Sequence, residues 1–187
     1  MTNNESSYKN SVLKQFEYYK MLGERTILQL TEEQICWQPN EESNSIAMII
    51  KHLHGNMMSR WTDFRTSDGE KTWRNRDEEF DNDLKSIKDI KAKWDEGWRC
   101  LFEAITPLAD MDLEQIVYIR NMGHTITEAI NRQLAHYSYH IGQIVYIGRL
   151  SKADQWISLS IPKGKSTAYN REKFSKGKRR THFTDDL

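Results

Sequence analysis

The sequence predicts an all-α protein whose long helices form an antiparallel four-helix bundle. Four stretches carry apolar residues at helical spacing, and polar segments that contain helix-capping residues separate them. Most of the connections are short, which is typical of antiparallel neighbours in a bundle. The length of 187 residues is sufficient for one domain with a hydrophobic core, and six Trp and eight Tyr supply large apolar side chains.

The first predicted helix runs from about Ser7 to Leu30. Its apolar residues recur every three to five positions: Tyr8, Val12, Phe16, Tyr19, Leu22 and Ile27. The segment Thr31–Gln34 then has the form of a capping box and predicts one short helical turn before Pro39. Because the connection to the next long helix has about 15 residues, we expect it to pack over one end of the bundle.

The second and third predicted helices follow polar segments that offer N-cap residues. The second follows Glu41–Ser45 and continues to Phe64, where the polar segment Thr66–Lys71 interrupts the pattern. Its apolar face carries Ile46, Ile49, Ile50, Leu53, Met57 and Trp61. The third starts near Ser86 and ends between Pro107 and Asp110.

A short non-helical segment precedes the fourth predicted helix. The residues Leu113–Arg120 predict a β-excursion that ends in a turn at Asn121–Gly123. Thr125–Glu128 has the form of a second capping box and starts the fourth helix, which runs to about Leu150.

The last part of the chain differs from the rest in composition. Apolar residues become rare after residue 157, and the segment from Pro162 onward contains eight basic and three acidic residues. We therefore predict two parts: a helical domain of residues 1–157 and an extended basic tail of residues 158–187.

His136 and His140 are the most informative pair in the sequence. Four residues apart on the fourth helix, they lie one turn apart on one face and point inward or nearly so. Two imidazoles placed in this way can bind one divalent metal ion, although two buried, hydrogen-bonded histidines are the commoner outcome of this spacing. A catalytic metal usually has three protein ligands. His124 and His182 are poorly placed for that role, so the third ligand is expected from the second helix.

His52 and His54 are the two candidates for the third ligand. Two residues apart on a helix, they lie about 200° apart around its axis, so one ion cannot easily use both. His54 lies about 70° from the centre of the apolar face and His52 about 130°, which favours His54 slightly. His52 remains open, because a ligand can lie at the edge of an apolar stripe and Asn56 can hydrogen-bond it from one turn away.

Several segments resemble the DinB-like (YfiT-like) metalloprotein superfamily. They are Ser45–Leu53, the His136–His140 pair and Gly142–Ile144, and the resemblance extends over residues 8–150 in order and spacing. Three further segments are similar to a bacillary subgroup of unknown function: Gly55–Phe64, Asp68–Lys71 and Leu159–Ser166. The resemblance implies a four-helix bundle with one metal-binding histidine in the second helix and an HxxxH pair in the fourth.

The resemblance implies a ligand set and a function. The second-helix ligand falls on His52, so the implied metal ligands are His52, His136 and His140, with Zn or Ni as suitable divalent metals. Some superfamily members are metal-dependent transferases that use low-molecular-weight thiols such as bacillithiol, which implies a thiol S-transferase with a small-molecule substrate, in a homodimer. The alternative is a non-catalytic, stress-related metal-binding or interaction protein. No carboxylate stands out as a general base.

Other features bear on ligands and location. Arg74 and Arg76, in the loop after the second helix, can bind an anionic substrate or the thiol cofactor; otherwise this loop covers one end of the bundle. The 27 basic and 27 acidic residues balance, so nothing in the overall charge favours nucleic acid. The sequence has no apolar run of membrane-spanning length and no signal-peptide pattern, so we expect a cytoplasmic protein.

Overall fold

The computed structural model describes residues 7–186 and is mostly helical, with one small two-stranded sheet. The long helices are α1 (Ser7–Ile27), α3 (Ile46–Trp61), α4 (Ile87–Ile105) and α5 (Ile126–Lys152), and the short helices are α2 (Glu32–Cys36) and α6 (Ser166–Phe174). The strands are β1 (Ile116–Ile119) and β2 (Met122–Thr125). Within residues 7–186, no helix combines the length and the apolar character needed to cross a membrane.

Capping boxes start the helices where the sequence predicts them. The hydroxyl of Thr31 accepts a hydrogen bond from the backbone of Gln34, and the hydroxyl of Thr125 accepts one from the backbone of Glu128, which confirms both predicted boxes. Ser45 caps α3 in the same way. Helix α3 ends three residues before the predicted Phe64, because the backbone at Asp63 turns into the left-handed region with φ of 47°.

One hydrophobic core joins the four long helices. Helix α3 packs against α4 and α5, and α1 packs against α5. At the centre, the rings of Phe16, Trp98 and Tyr137 contact one another with centroids 5.9–6.4 Å apart. The buried Trp61 indole N–H donates to the Tyr137 hydroxyl at 3.1 Å, which links α3 to α5 inside the core. This packing fixes α3 relative to α5, the two helices that carry the candidate site.

The predicted β-excursion is a hairpin. Strands β1 and β2 pair antiparallel, with Ile116 opposite Thr125 and Ile119 opposite Met122. The two turn residues, Arg120 and Asn121, both have positive φ, as a two-residue hairpin turn of type I′ requires. Their backbone N–H groups each donate to the carboxylate of Asp68 at 2.8 Å, which fastens the loop after α3 to the hairpin.

The predicted extended tail contains one helix, α6, which the sequence analysis does not predict. The helix α6 has no buried residue, so no apolar periodicity marks it in the sequence. After it, Phe183 contacts the ring of Tyr18 and Asp185 pairs with Lys14 at 2.5 Å, both on α1. The division of the chain at residue 157 stays a prediction.

Candidate metal centre

Three histidines converge between α3 and α5. Nε2 of His136 lies 3.3 Å from Nε2 of His52 and 3.0 Å from Nε2 of His140. One ring nitrogen from each of the three lies within 4.8 Å of the other two, and this group can hold a metal ion. His52 and His140 are buried and His136 is half-buried. Within residues 7–186, no further His, Cys, Asp or Glu side chain joins this group.

Two of the three imidazoles are oriented by hydrogen bonds from their other ring nitrogen. Nδ1 of His52 donates to Oε2 of Glu79 at 2.8 Å, and Nδ1 of His140 donates to Oε1 of Gln143 at 2.8 Å. A neutral imidazole that carries its proton on Nδ1 presents a lone pair on Nε2. These two rings are therefore in the tautomer that can bind a metal at the point where the three nitrogen atoms meet.

The carboxylate that orients His52 is itself held on its other side. Glu79 lies in a short 3-10 helix, Asp77–Phe80, and Arg74 donates to both of its oxygens, at 2.7 and 2.9 Å. Burial alone raises the pKa of Glu79, but the hydrogen bonds from His52 and Arg74 outweigh burial and hold this pKa below its usual value. Glu79 is therefore ionised and accepts hydrogen bonds only.

The pKa values of two histidines are strongly lowered. Burial, and then the neighbouring imidazoles His140 and His52, lower the pKa of His136 to about 3. Burial and His52 lower the pKa of His140 to about 4. Both rings are neutral at physiological pH, and the neutral ring is the form that binds a metal.

His54 lies outside this cluster. Its Nε2 hydrogen-bonds Oε2 of Glu96 on α4 at 2.9 Å, and burial is the main cause of the lowered pKa of this histidine. Because α3 packs against both α4 and α5, its buried face is wider than a single apolar stripe. His54 faces one neighbouring helix and His52 the other, so the helical wheel is a poor guide to the third member of the cluster.

Arg74 and Arg76 occupy different environments. Arg74 is buried between Glu79 and Glu70, with 3.6 Å from its Nη1 to Oε1 of Glu70. Arg76 is exposed, and its guanidinium lies 5.2 Å from the ring centroid of Phe80, which in turn stacks on His52 at 5.1 Å. Arg76 therefore lies at the outer edge of the cluster. The predicted binding of a thiol cofactor by these two arginines stays a prediction.

Residues 3–165 match the family described as Protein of unknown function (DUF1572). The chain belongs to the DUF1572 family. The match includes the three histidines, Glu79 and Gln143, and it ends one residue before α6 begins. No curated protein shows a significant match to the chain. The DUF1572 description assigns no function, and membership of the DinB-like superfamily stays a prediction.

The sequence alone does not identify the partners that orient the histidines of this DUF1572 protein. Asn56, which the sequence offers as one possible partner of His52, instead accepts a hydrogen bond from the Tyr137 hydroxyl at 3.1 Å. Gln143 carries a recognisable signal, because it follows His140 by three residues on the same helix. Glu79 carries none, because it lies 27 residues after His52 in a loop.

Proposed function

We propose that this DUF1572 protein binds one divalent metal ion through the Nε2 atoms of His52, His136 and His140. The observation that carries the proposal is the convergence of these atoms, at 3.0 and 3.3 Å from His136. A tetrahedral ion with metal–nitrogen distances of about 2.0–2.1 Å has its ligand atoms about 3.4 Å apart, close to this spacing. Neutral imidazole ligands suit Zn²⁺ and Ni²⁺.

The number of ligands favours a catalytic site over the non-catalytic alternative. Structural zinc sites usually have four protein ligands, whereas catalytic sites have three and keep one position for water or substrate. The cluster has three members among residues 7–186, and the half-buried His136 gives it a side that solvent can reach. For a purely structural ion we would expect a fourth protein ligand.

We further propose a metal-dependent S-transferase that uses a low-molecular-weight thiol of the bacillithiol type and a small-molecule electrophile. A divalent cation in an open site lowers the pKa of a thiol that it contacts, which makes the thiol nucleophilic near neutral pH. Glu79 and Gln143 keep two of the imidazoles oriented, and Arg76 at the outer edge can pair with a carboxylate of the thiol. The support for the thiol is the DinB-like resemblance together with the position of Arg76.

The scaffold that we propose is an antiparallel bundle of α1, α3, α4 and α5, with the segment after residue 157 appended to it. The shared core of these helices supports the bundle, and the absence of buried residues in α6 supports the separate tail. A homodimer and a cytoplasmic location stay predictions from the sequence.

Metal analysis and titration test the metal site. We expect one equivalent of Zn²⁺ or Ni²⁺ per chain, lost in His136→Ala and retained in the control His124→Ala, whose ring lies in the hairpin away from the cluster. A wild-type protein that takes up no divalent metal contradicts the proposal.

A second experiment tests the transferase. The metal-loaded protein is incubated with bacillithiol and a panel of electrophiles, and conjugates are measured by mass spectrometry. We expect conjugates that depend on the metal and on Arg76. If a broad panel yields no conjugate while metal binds stoichiometrically, the transferase proposal is wrong and the metal site stands.

A further inference from the structure

The Glu79 side chain passes close to the backbone of Gly55 on its way to His52. Gly55 lies three residues after His52, and a Cβ atom built on it would lie 2.1 Å from Oε1 and 2.8 Å from Cδ of Glu79. Such distances are far inside van der Waals contact, so any larger residue at position 55 displaces this carboxylate. Glycine destabilises a helix interior relative to alanine. The close approach of Glu79 provides a physical reason for its presence here.

Arg74 fixes the same carboxylate from the opposite side. Its Nε and Nη2 atoms donate to the two oxygens of Glu79, in the planar two-bond geometry that only a guanidinium provides. Arg74 also pairs with Glu70, and Glu70 pairs with Arg120 in the hairpin turn at 3.0 Å. The orientation of Glu79 is therefore determined by a buried ion pair with Arg74, which further pairs through Glu70 connect to the more exposed hairpin turn.

The contact between Glu79 and His52 decides which ring nitrogen of His52 carries the proton. With the carboxylate at 2.8 Å from Nδ1, the proton stays on Nδ1 and Nε2 faces His136 as a lone pair. If the carboxylate moves away, the ring can place its proton on Nε2 or rotate, and in both of these forms it no longer presents the Nε2 lone pair to the cluster.

We propose that Gly55 and Arg74 are positioning residues, which orient Nε2 of His52 through the Glu79 carboxylate and thereby set the metal affinity of the site. The predicted effect on metal affinity rests on the proposed metal site. The effect on the orientation of His52 does not, because Glu79 contacts His52 in the metal-free protein as well. It gives Arg74 a role other than the predicted binding of a thiol, because the two carboxylates already surround its guanidinium.

The chain offers a matched control for the glycine. Gly142 lies in the interior of α5, two residues after His140, and a Cβ atom built on it meets no atom within 4 Å. Gly55→Ala and Gly142→Ala therefore make the same change on the two helices that carry the histidines, and only the first one reaches Glu79. For Arg74→Gln the control is Arg65→Gln, since Arg65 pairs with Asp112 outside the cluster.

The first readout needs no metal. In ¹⁵N-histidine-labelled, metal-free protein, NMR reports the tautomer of each ring. We expect His52 to be Nδ1-protonated in the wild type and in both controls, and to become a mixture of tautomers in Gly55→Ala and Arg74→Gln. An unchanged His52 tautomer in both of these variants overturns the proposal, whether or not the wild type binds metal. Circular dichroism checks that each variant folds. If Gly55→Ala does not fold, Arg74→Gln still tests the proposal, because this substitution lies outside α3.

The second readout is the affinity for Zn²⁺, measured by competition with a chelator. We expect Gly55→Ala and Arg74→Gln to bind about 10–100-fold more weakly, as is usual when a group that orients a metal ligand is lost. Arg74→Lys, which keeps the charge but not the paired donors, should fail to restore wild-type affinity. Wild-type affinity in Gly55→Ala and Arg74→Gln overturns the proposal, whereas absent binding in the wild type overturns the proposed metal site instead.

Discussion

Helix α3 carries two histidine–glutamate pairs whose surroundings differ. The His52–Glu79 pair joins Nδ1 to the carboxylate at 2.8 Å, with side chains 5% and 7% exposed. The His54–Glu96 pair joins Nε2 to the carboxylate at 2.9 Å, with side chains 17% and 46% exposed. In the first pair Nε2 remains available and faces two further imidazoles; in the second pair it is occupied. The two pairs therefore differ in whether the histidine presents a ring nitrogen to the cluster, and only His52 does so.

The largest expected difference between the two pairs is in metal binding itself. His52→Ala should weaken Zn²⁺ binding by more than about 100-fold, because even partners that only orient a ligand contribute about 10–100-fold. His54→Ala should bind as the wild type does. Isothermal titration calorimetry measures both, and loss of binding in His54→Ala with retention in His52→Ala contradicts the assignment.

Bound metal should raise the free energy of unfolding, and this stabilisation should depend on His52 and not on His54. With free metal at about 100 times Kd, the free energy of unfolding should rise by about 2.7 kcal/mol. Urea denaturation with and without Zn²⁺ measures this rise, which should persist in His54→Ala and disappear in His52→Ala. Equal stabilisation of the two variants would place the metal elsewhere.

Substitution of Glu79 should lower the metal affinity and substitution of Glu96 should not, and the loss should be smaller than that in His52→Ala. Glu79→Gln removes the charge that accepts from His52 and Arg74, so we expect metal affinity to fall by about 10–100-fold. Glu96→Gln is the matched control, because its carboxylate is partly exposed and pairs with His54, outside the cluster. Chelator competition compares the two, and equal affinities would remove Glu79 from the site.

A further expected effect concerns the pH dependence of the metal-free protein. The pKa values of His136 and His140 are lowered to about 3 and about 4, whereas in the unfolded chain they titrate near 6.5. The unfolded state therefore binds more protons below about pH 6.5, and the free energy of unfolding should decline as the pH falls from there towards 4. Above about pH 6.5 these two groups should contribute no slope.

Urea denaturation of the metal-free protein at several pH values measures this decline. The double variant His136→Gln, His140→Gln should show a shallower slope. His54→Ala should change the slope less, although the lowered pKa of His54 acts with the same sign. A double variant with the wild-type slope would show that the two rings are not held neutral in the folded protein.

Local rules predict the starts of the capped helices and the paired histidines. Capping boxes at Thr31 and Thr125 and the period of the apolar residues depend only on neighbours in sequence, and the structure agrees with them. The same holds for His136 and His140, whose spacing places them on one face of α5. These features need no knowledge of how the helices pack.

The rest of the site depends on tertiary packing, which the sequence pattern does not contain. The choice between His52 and His54 depends on which neighbour each face of α3 meets, and the wheel cannot distinguish α4 from α5. Glu79 comes from a loop whose path is set by ion pairs to Arg74 and by the hairpin. Gly55 is informative only once that carboxylate is placed beside it. Helix α6 is not predicted, because none of its residues is buried and its sequence therefore shows no apolar residues at helical spacing.

A crystal structure of the protein with Zn²⁺, with the metal located by anomalous scattering, tests the central claim most directly. We expect one peak, about 2.0–2.1 Å from the Nε2 atoms of His52, His136 and His140, with Glu79 still on Nδ1 of His52. A peak between His54 and Glu96, or no peak at the three histidines, would contradict the account.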